Sequence, residues 1–181
     1  QSKSNKFDDI FGGGKGVNIQ SEMEVLKSRG LMTRVVQKQN LQYNYYVKGN
    51  IKTINIYKTG PFIIEHEELA DSLKPFTLKI KFNNEKEFKV NNDNVLVPFG
   101  KRFKNQYGTF RLIRNPLSGI SKDYVVEYTP TSGAAGRFAS AIMVAPKTTA
   151  TAGILNISMQ GTNANQCADV VNQLMDEYGD Y

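Results

Sequence analysis

At 181 residues, with 40% hydrophobic, 10% aromatic and 22% charged side chains, the chain can bury a sizeable core and falls outside the disordered class. A formal net charge of +6 keeps polyanionic partners in play. No run approaches the roughly 18 to 20 apolar residues that span a bilayer, and no charged-then-apolar segment opens the chain, so it reads as soluble by itself and, starting at Gln1 without Met, as a fragment of a longer protein.

Residues 1–17 contain Gly12-Gly13-Gly14-Lys15-Gly16. A phosphate-binding loop needs four residues between its first Gly and its Gly-Lys and then Ser or Thr, and Gly16 stands there instead, so a flexible leader without nucleotide binding is expected. Residues 18–41 carry the first strong pattern. Asn18 and Ser21 are N-cap types, and Ser21 with Glu24 has capping-box spacing. Ile19, Met23, Leu26, Val25, Met32 and Val36 then line one apolar face of a helix, with Leu26 in the core. Gly30 predicts a kink or close crossing near Ser28-Arg29-Gly30.

Tyr43, Tyr45 and Val47, then Ile51, Ile54 and Ile56, predict two strands around a turn at Lys48-Gly49-Asn50. The tyrosines suit either a sugar-stacking surface or a half-buried strand. His66-Glu67-Glu68-Leu69-Ala70 resembles the opening of a zinc-protease helix, but Ala70 occupies the second histidine position and the chain has one histidine. A multi-histidine metal site is therefore excluded. Asp71-Ser72-Leu73 and Asn156-Ile157-Ser158 are formal glycosylation acceptors of little weight.

From Lys74 the pattern becomes β: Leu78, Ile80 and Phe82 face one way, Lys79 and Lys81 the other, with a turn at Asn83-Asn84-Glu85. Further strands are expected at Phe88 and Val90, Val95 to Val97, Phe110 to Ile113 and Tyr124 to Tyr128. Residues 62–129 thus read as a β-rich lobe inserted in a single domain, 1–181. Residues 74–114 hold ten Lys or Arg against three Asp or Glu, a net +7. Such a surface suits a polyanion or glycan, or is simply solvated lysine. Lys101, Arg102 and Lys104 form its densest cluster and are the candidate polyanion or glycan contacts.

Residues 132–141 are Ala-rich, at most a short, tightly packed helix. Ile142 to Ala145 and Ile154 to Met159 read as strands around a polar linker. The last helix, residues 163–178, should present Cys167, Val171, Leu174 and Tyr178 as its buried stripe. Cys167 stands alone, which excludes an internal disulfide. The fold class expected is α+β: the two helices at the chain ends packed on a mixed sheet that includes residues 43–57 and 154–159. No nucleophile–base pair emerges, so no catalytic residue, metal or cofactor is expected.

Glu22-Met23-Glu24-Val25-Leu26-Lys27-Ser28-Arg29 with Leu31, Val35, Val36 and Leu41, then Ile56-Tyr57-Lys58 with Pro61-Phe62, then Ile157-Ser158 with Ala168, Asn172 and Tyr178, resemble in order the periplasmic domain of bacterial polysaccharide chain-length determinants (Wzz-type co-polymerases), including those fused to a cytoplasmic tyrosine autokinase. Ala164-Asn165 replaces the family's usual Asp-Pro at the last helix, where Asn163 can cap with Gln166 at N3. The resemblance implies a non-catalytic domain on the periplasmic side of the inner membrane, held by flanking membrane segments outside this chain. It also implies a homo-oligomeric ring, with the polysaccharide polymerase and the growing surface polysaccharide as partners and no nucleic acid. Arg29, at the family's Ser-Arg motif, is the candidate oligomer contact, with an intramolecular ion pair as the alternative. The basic residues 74–114 and the acidic Asp176, Glu177 and Asp180 are candidate complementary faces. A glycan- or polyanion-binding module acting through the basic lobe is the alternative reading.

Overall fold

The computed structural model describes residues 19–48, 53–121, 123–147 and 154–180. The fold is α+β, and its described residues divide into two compact units. One holds the described residues up to Leu41 together with those from Thr131 onward, and the other those of Gln42–Pro130. The glycine-rich leader, the Lys48-Gly49-Asn50 turn beyond Lys48 and most of the linker after Lys147 lie outside the described residues.

In the first unit the expected single helix is two: α1 (Ile19–Leu26) and α2 (Arg29–Lys38). The break is a cap. Ser28 is extended (φ −66°, ψ 141°) and its hydroxyl accepts from the Leu31 amide at 3.2 Å, which supplies a partner to one of the orphan donors of a new helix start. Of the two expected cap residues, Ser21 lies inside α1 and Asn18 lies outside the described residues. The break is the kink expected near Ser28-Arg29-Gly30; Gly30 itself has open space around it, and Arg29 makes the close approach, its guanidinium standing 3.3 Å from a Cβ added at Gly136 of α3 (Thr131–Ala141). Leu26, Leu31, Met32, Val35 and Val36 are buried. Packing against them is α4 (Ala164–Gly179), capped as expected by Asn163, whose Oδ1 accepts from the Gln166 amide at 3.1 Å. Strands β10 (Ile142–Pro146) and β11 (Leu155–Met159) form an antiparallel hairpin in the same unit.

The buried stripe of α4 is rotated by one position from the expected one: Gln166, Val170, Leu174 and Glu177 are buried, while Cys167 and Val171 are half-buried. The reason is a polar clasp between α2 and α4. Glu177 is 2% exposed and accepts from Lys38 at 2.7 Å, from Gln173 at 3.1 Å, and lies 3.5 Å from Arg34. Gln39 extends the clasp by donating to Gln173 at 2.7 Å. The Lys38 hydrogen bond holds the Glu177 carboxyl below its ordinary range, against the opposing push of burial. A depressed folded-state pKa means that the unfolded chain binds the proton first on acidification. The stabilisation is therefore complete above about pH 5 and is lost as pH falls from the ordinary glutamate value through the folded one. Chemical denaturation between pH 6 and 3 should show this slope in the wild type and a smaller one in Glu177→Gln; equal slopes would remove the clasp from the acid response.

The second unit is two antiparallel sheets sharing one apolar core. The larger has the order β2 (Thr53–Asn55), β1 (Tyr43–Lys48), β9 (Asp123–Tyr128), β4 (Phe76–Phe82), β5 (Glu87–Val90), β6 (Val97–Pro98). The smaller has the order β3 (Phe62–Leu69), β8 (Gly108–Arg114), β7 (Arg102–Asn105). Burial alternates residue by residue along β4, so Leu78, Ile80 and Phe82 point inward and Lys79 and Lys81 outward as expected. The core is mostly aromatic: Phe62 lies edge-on to Tyr124 at 5.4 Å, Phe76 stacks on Tyr128 and Tyr107 at 4.8 Å, and Phe103 meets Phe88 and Phe110 at 5.7 and 5.8 Å. Such pairs contribute about 0.5 to 1.5 kcal/mol beyond area burial.

Three expectations change here. β1 pairs with β9 in register Tyr43↔Tyr128 through Val47↔Tyr124, so residues 43–55 belong to this unit's sheet and share none with β11. Every ladder among the described residues is antiparallel, so the sheets are not mixed. The strand expected at Val95 to Val97 shrinks to Val97–Pro98, leaving Val95 and Leu96 exposed.

Candidate functional site

Lys101, Arg102 and Lys104 come together on one groove. Gly100, at φ 78°, turns the chain after Pro98, and the Lys101 amide donates back to the Pro98 carbonyl at 3.1 Å. From there β7 runs as the outer strand of the small sheet, its hairpin with β8 set by Asn105↔Gly108 and a two-residue turn. Phe103 points into the aromatic core and anchors the strand, while Arg102 and Lys104 are exposed. The opposite wall leaves β5 at Asn91, whose positive φ of 54° and paired bonds to Lys79 (Oδ1 accepting at 3.0 Å, amide donating at 2.7 Å) turn residues 91–96 away from the sheet. Between these walls lies a groove of about 620 Å³, lined on one side by residues 101–106 and on the other by Asn91, Asp93, Val95, Leu96, Val97 and Pro98.

The surrounding charges differ from what counting along the chain suggests. β3 lies across β8 from β7, and its carboxylates neutralise part of the basic excess: Glu65 binds Arg111 and Glu67 binds Arg102, each at 2.6 Å. Arg114 is half-buried and structural, donating to the Pro61 carbonyl at 2.9 Å, to Asn115, and to Ser118 at 3.1 Å. Over the whole unit, fourteen Lys and Arg stand against nine Asp and Glu, a net +5. Lys101 and Lys104 have no ion-pair partner among the described residues. The groove therefore combines two cations without ion-pair partners, one carboxylate at Asp93, and a wall in which Val95 is 62% and Leu96 41% exposed. That combination suits a ligand that is both anionic and partly apolar.

The remaining sequence candidates fall as follows. Tyr43 is buried, its hydroxyl 2.9 Å from His66 Nδ1, and Tyr45 accepts from the Ile64 amide at 3.2 Å, its pKa pushed up to about 12 by burial. Both rings face the core, so they offer no sugar platform. His66 sits on strand β3, not on a helix, and burial lowers its pKa. Glu177 is enclosed by the α2–α4 clasp, which removes it from the proposed acidic face; Asp176 and Asp180 remain exposed. Arg29 is exposed in the first turn of α2, its guanidinium lying by Gly136, with no ion pair among the described residues.

One polar contact escaped the sequence reading. The Tyr178 hydroxyl, in the last turn of α4, donates to Glu22 in the first turn of α1. Burial, and then the neighbouring Glu22 carboxylate, hold the Tyr178 pKa well above the ordinary range. Among the described residues no three His, Cys, Asp or Glu side chains gather as a metal site, and no helix is long and apolar enough to cross a membrane. No family model matches the chain, and no curated protein matches it.

Proposed function

We propose that this chain is the periplasmic domain of an inner-membrane polysaccharide co-polymerase, a scaffold that sets the length of surface polysaccharide chains. The observation that carries this reading is the Glu22–Tyr178 pair. It brings the first turn of the first described helix beside the last turn of the final one, so the described chain begins and ends at neighbouring positions on one unit. Neighbouring ends fit a domain held by membrane helices on both sides. The resemblance of residues 22–41, 56–62 and 157–178 to chain-length determinants supplies the functional class.

A ring of such domains needs two different surfaces on each subunit in a head-to-tail contact that closes. Exposed ion pairs supply only about 0 to 1 kcal/mol each, so the isolated domain should stay monomeric while the membrane-anchored parent assembles. Mass measurement of both is the test. A ring-sized species for the parent and a monomer for the domain is the expected pair of results; a monomeric parent in native membranes would count against the proposal.

A further inference from the structure

We propose that the free edge of β7 accepts an extended acidic peptide as an additional strand of the small sheet. The observations are independent of the polysaccharide reading and come from the hairpin's own register.

In an antiparallel ladder, alternate residues exchange both backbone hydrogen bonds with the partner strand and the residues between them point both groups away. The two-residue turn between Asn105 and Gly108 makes that pair a bonded one, so Phe103↔Phe110 is the next bonded pair. The N–H and C=O of Arg102 and Lys104 therefore point to the side away from β8. β7 is the last strand of its sheet, and none of these four groups has a backbone partner among the described residues. The groove runs along this same edge, since all six residues 101–106 line it. An unpaired edge beside a groove is the arrangement that strand addition uses, with main-chain bonds for affinity and alternate side chains for selectivity.

The groove also says what kind of strand fits. Lys101 and Lys104 repel a basic edge and would oppose a second copy of β7, the way edge lysines prevent self-association. An acidic strand meets the opposite sign. Its alternate residues face the wall that carries the exposed Val95 and Leu96, so a segment alternating acidic and apolar residues satisfies both sides at once.

The test is fluorescence anisotropy on the 181-residue chain with a labelled heptapeptide alternating Glu and Val. Its Lys and Val counterpart, the Glu and Val peptide N-methylated at alternate residues in either register, and a heparin-derived oligosaccharide are run alongside. Saturable binding of the acidic peptide is expected. It should be weakened about tenfold or more by N-methylation in one register, which deletes main-chain donors and sets a methyl on the pairing edge while leaving the side chains and charge unchanged, and by Lys104→Glu, with an unchanged melting temperature. Lys104→Pro, which deletes an outward N–H at an edge position that tolerates proline, should act similarly, and Lys104→Arg should keep binding. No saturable binding of the acidic peptide overturns the proposal. So does equal binding of the methylated peptides, or a heparin oligosaccharide that binds as tightly and with the same Lys104→Glu sensitivity, since the groove would then read charge alone.

Discussion

Gly108→Ala should destabilise the Gln42–Pro130 unit by about 3 kcal/mol or more, well beyond a typical single substitution. Gly108 opens β8 at φ 144°, and an added Cβ would collide with the Glu68 carbonyl oxygen and stand 3.0 Å from the Leu69 Cα. Both obstacles are backbone, so relief requires β3 and β8 to part where their register already shifts between His66 and Glu68. Gly100 provides the internal comparison. Its φ of 78° also favours glycine, yet nothing lies within 4 Å of an added Cβ, so Gly100→Ala should cost only the left-handed strain, about 1 to 2 kcal/mol. Denaturant midpoints of the two variants separate the crowding from the conformational term. Equal losses would mean that the β3–β8 approach is looser than described.

Phe62→Ala should remove about 3 to 5 kcal/mol, the range for truncating a buried aromatic. Phe62 is 1% exposed and meets rings on three strands of the large sheet: Tyr45 at 5.9 Å, Phe82 at 5.6 Å and Tyr124 at 5.4 Å. It comes from the small sheet, so its loss weakens the contact between the two layers as well as leaving a void. Phe62→Leu, which keeps most of the volume, should cost less than half as much. A loss below about 1 kcal/mol for the alanine variant in urea melts would contradict the two-layer core.

How much of this was legible beforehand follows the range of the interaction involved. Alternation at 76–82, the Asn163 cap and the core position of Leu26 depend on neighbours within a few residues, and all three stand as expected. The break at Ser28 was also local, but Ser21 and Ser28 carry the same hydroxyl about two turns apart, and only packing chooses between them. Sheet membership was not local. Tyr43 pairs with Tyr128 across a separation that no periodicity encodes. The α4 stripe was misread for a related reason: Glu177 is buried because Lys38 and Arg34 approach from α2, and a rule that places carboxylates outside rotates the helix by one position. The candidate basic cluster was legible as a cluster. Its groove and its edge were not, because the groove's second wall comes from residues 91–98 and the compensating carboxylates from β3.

If this domain sets polysaccharide chain length through contacts between subunits, as proposed, the length distribution of surface polysaccharide in cells that carry the parent protein will report it. Deleting the parent should abolish the modal length, and the wild-type gene should restore it. Parent carrying Arg29→Glu, with an unchanged melting temperature, should give a shifted distribution at normal expression, because Arg29 is exposed with no ion pair among the described residues. A distribution identical in deletion, wild type and Arg29→Glu would contradict the assignment of function itself, whereas a change on deletion with none for Arg29→Glu would contradict only this residue's place in the contact.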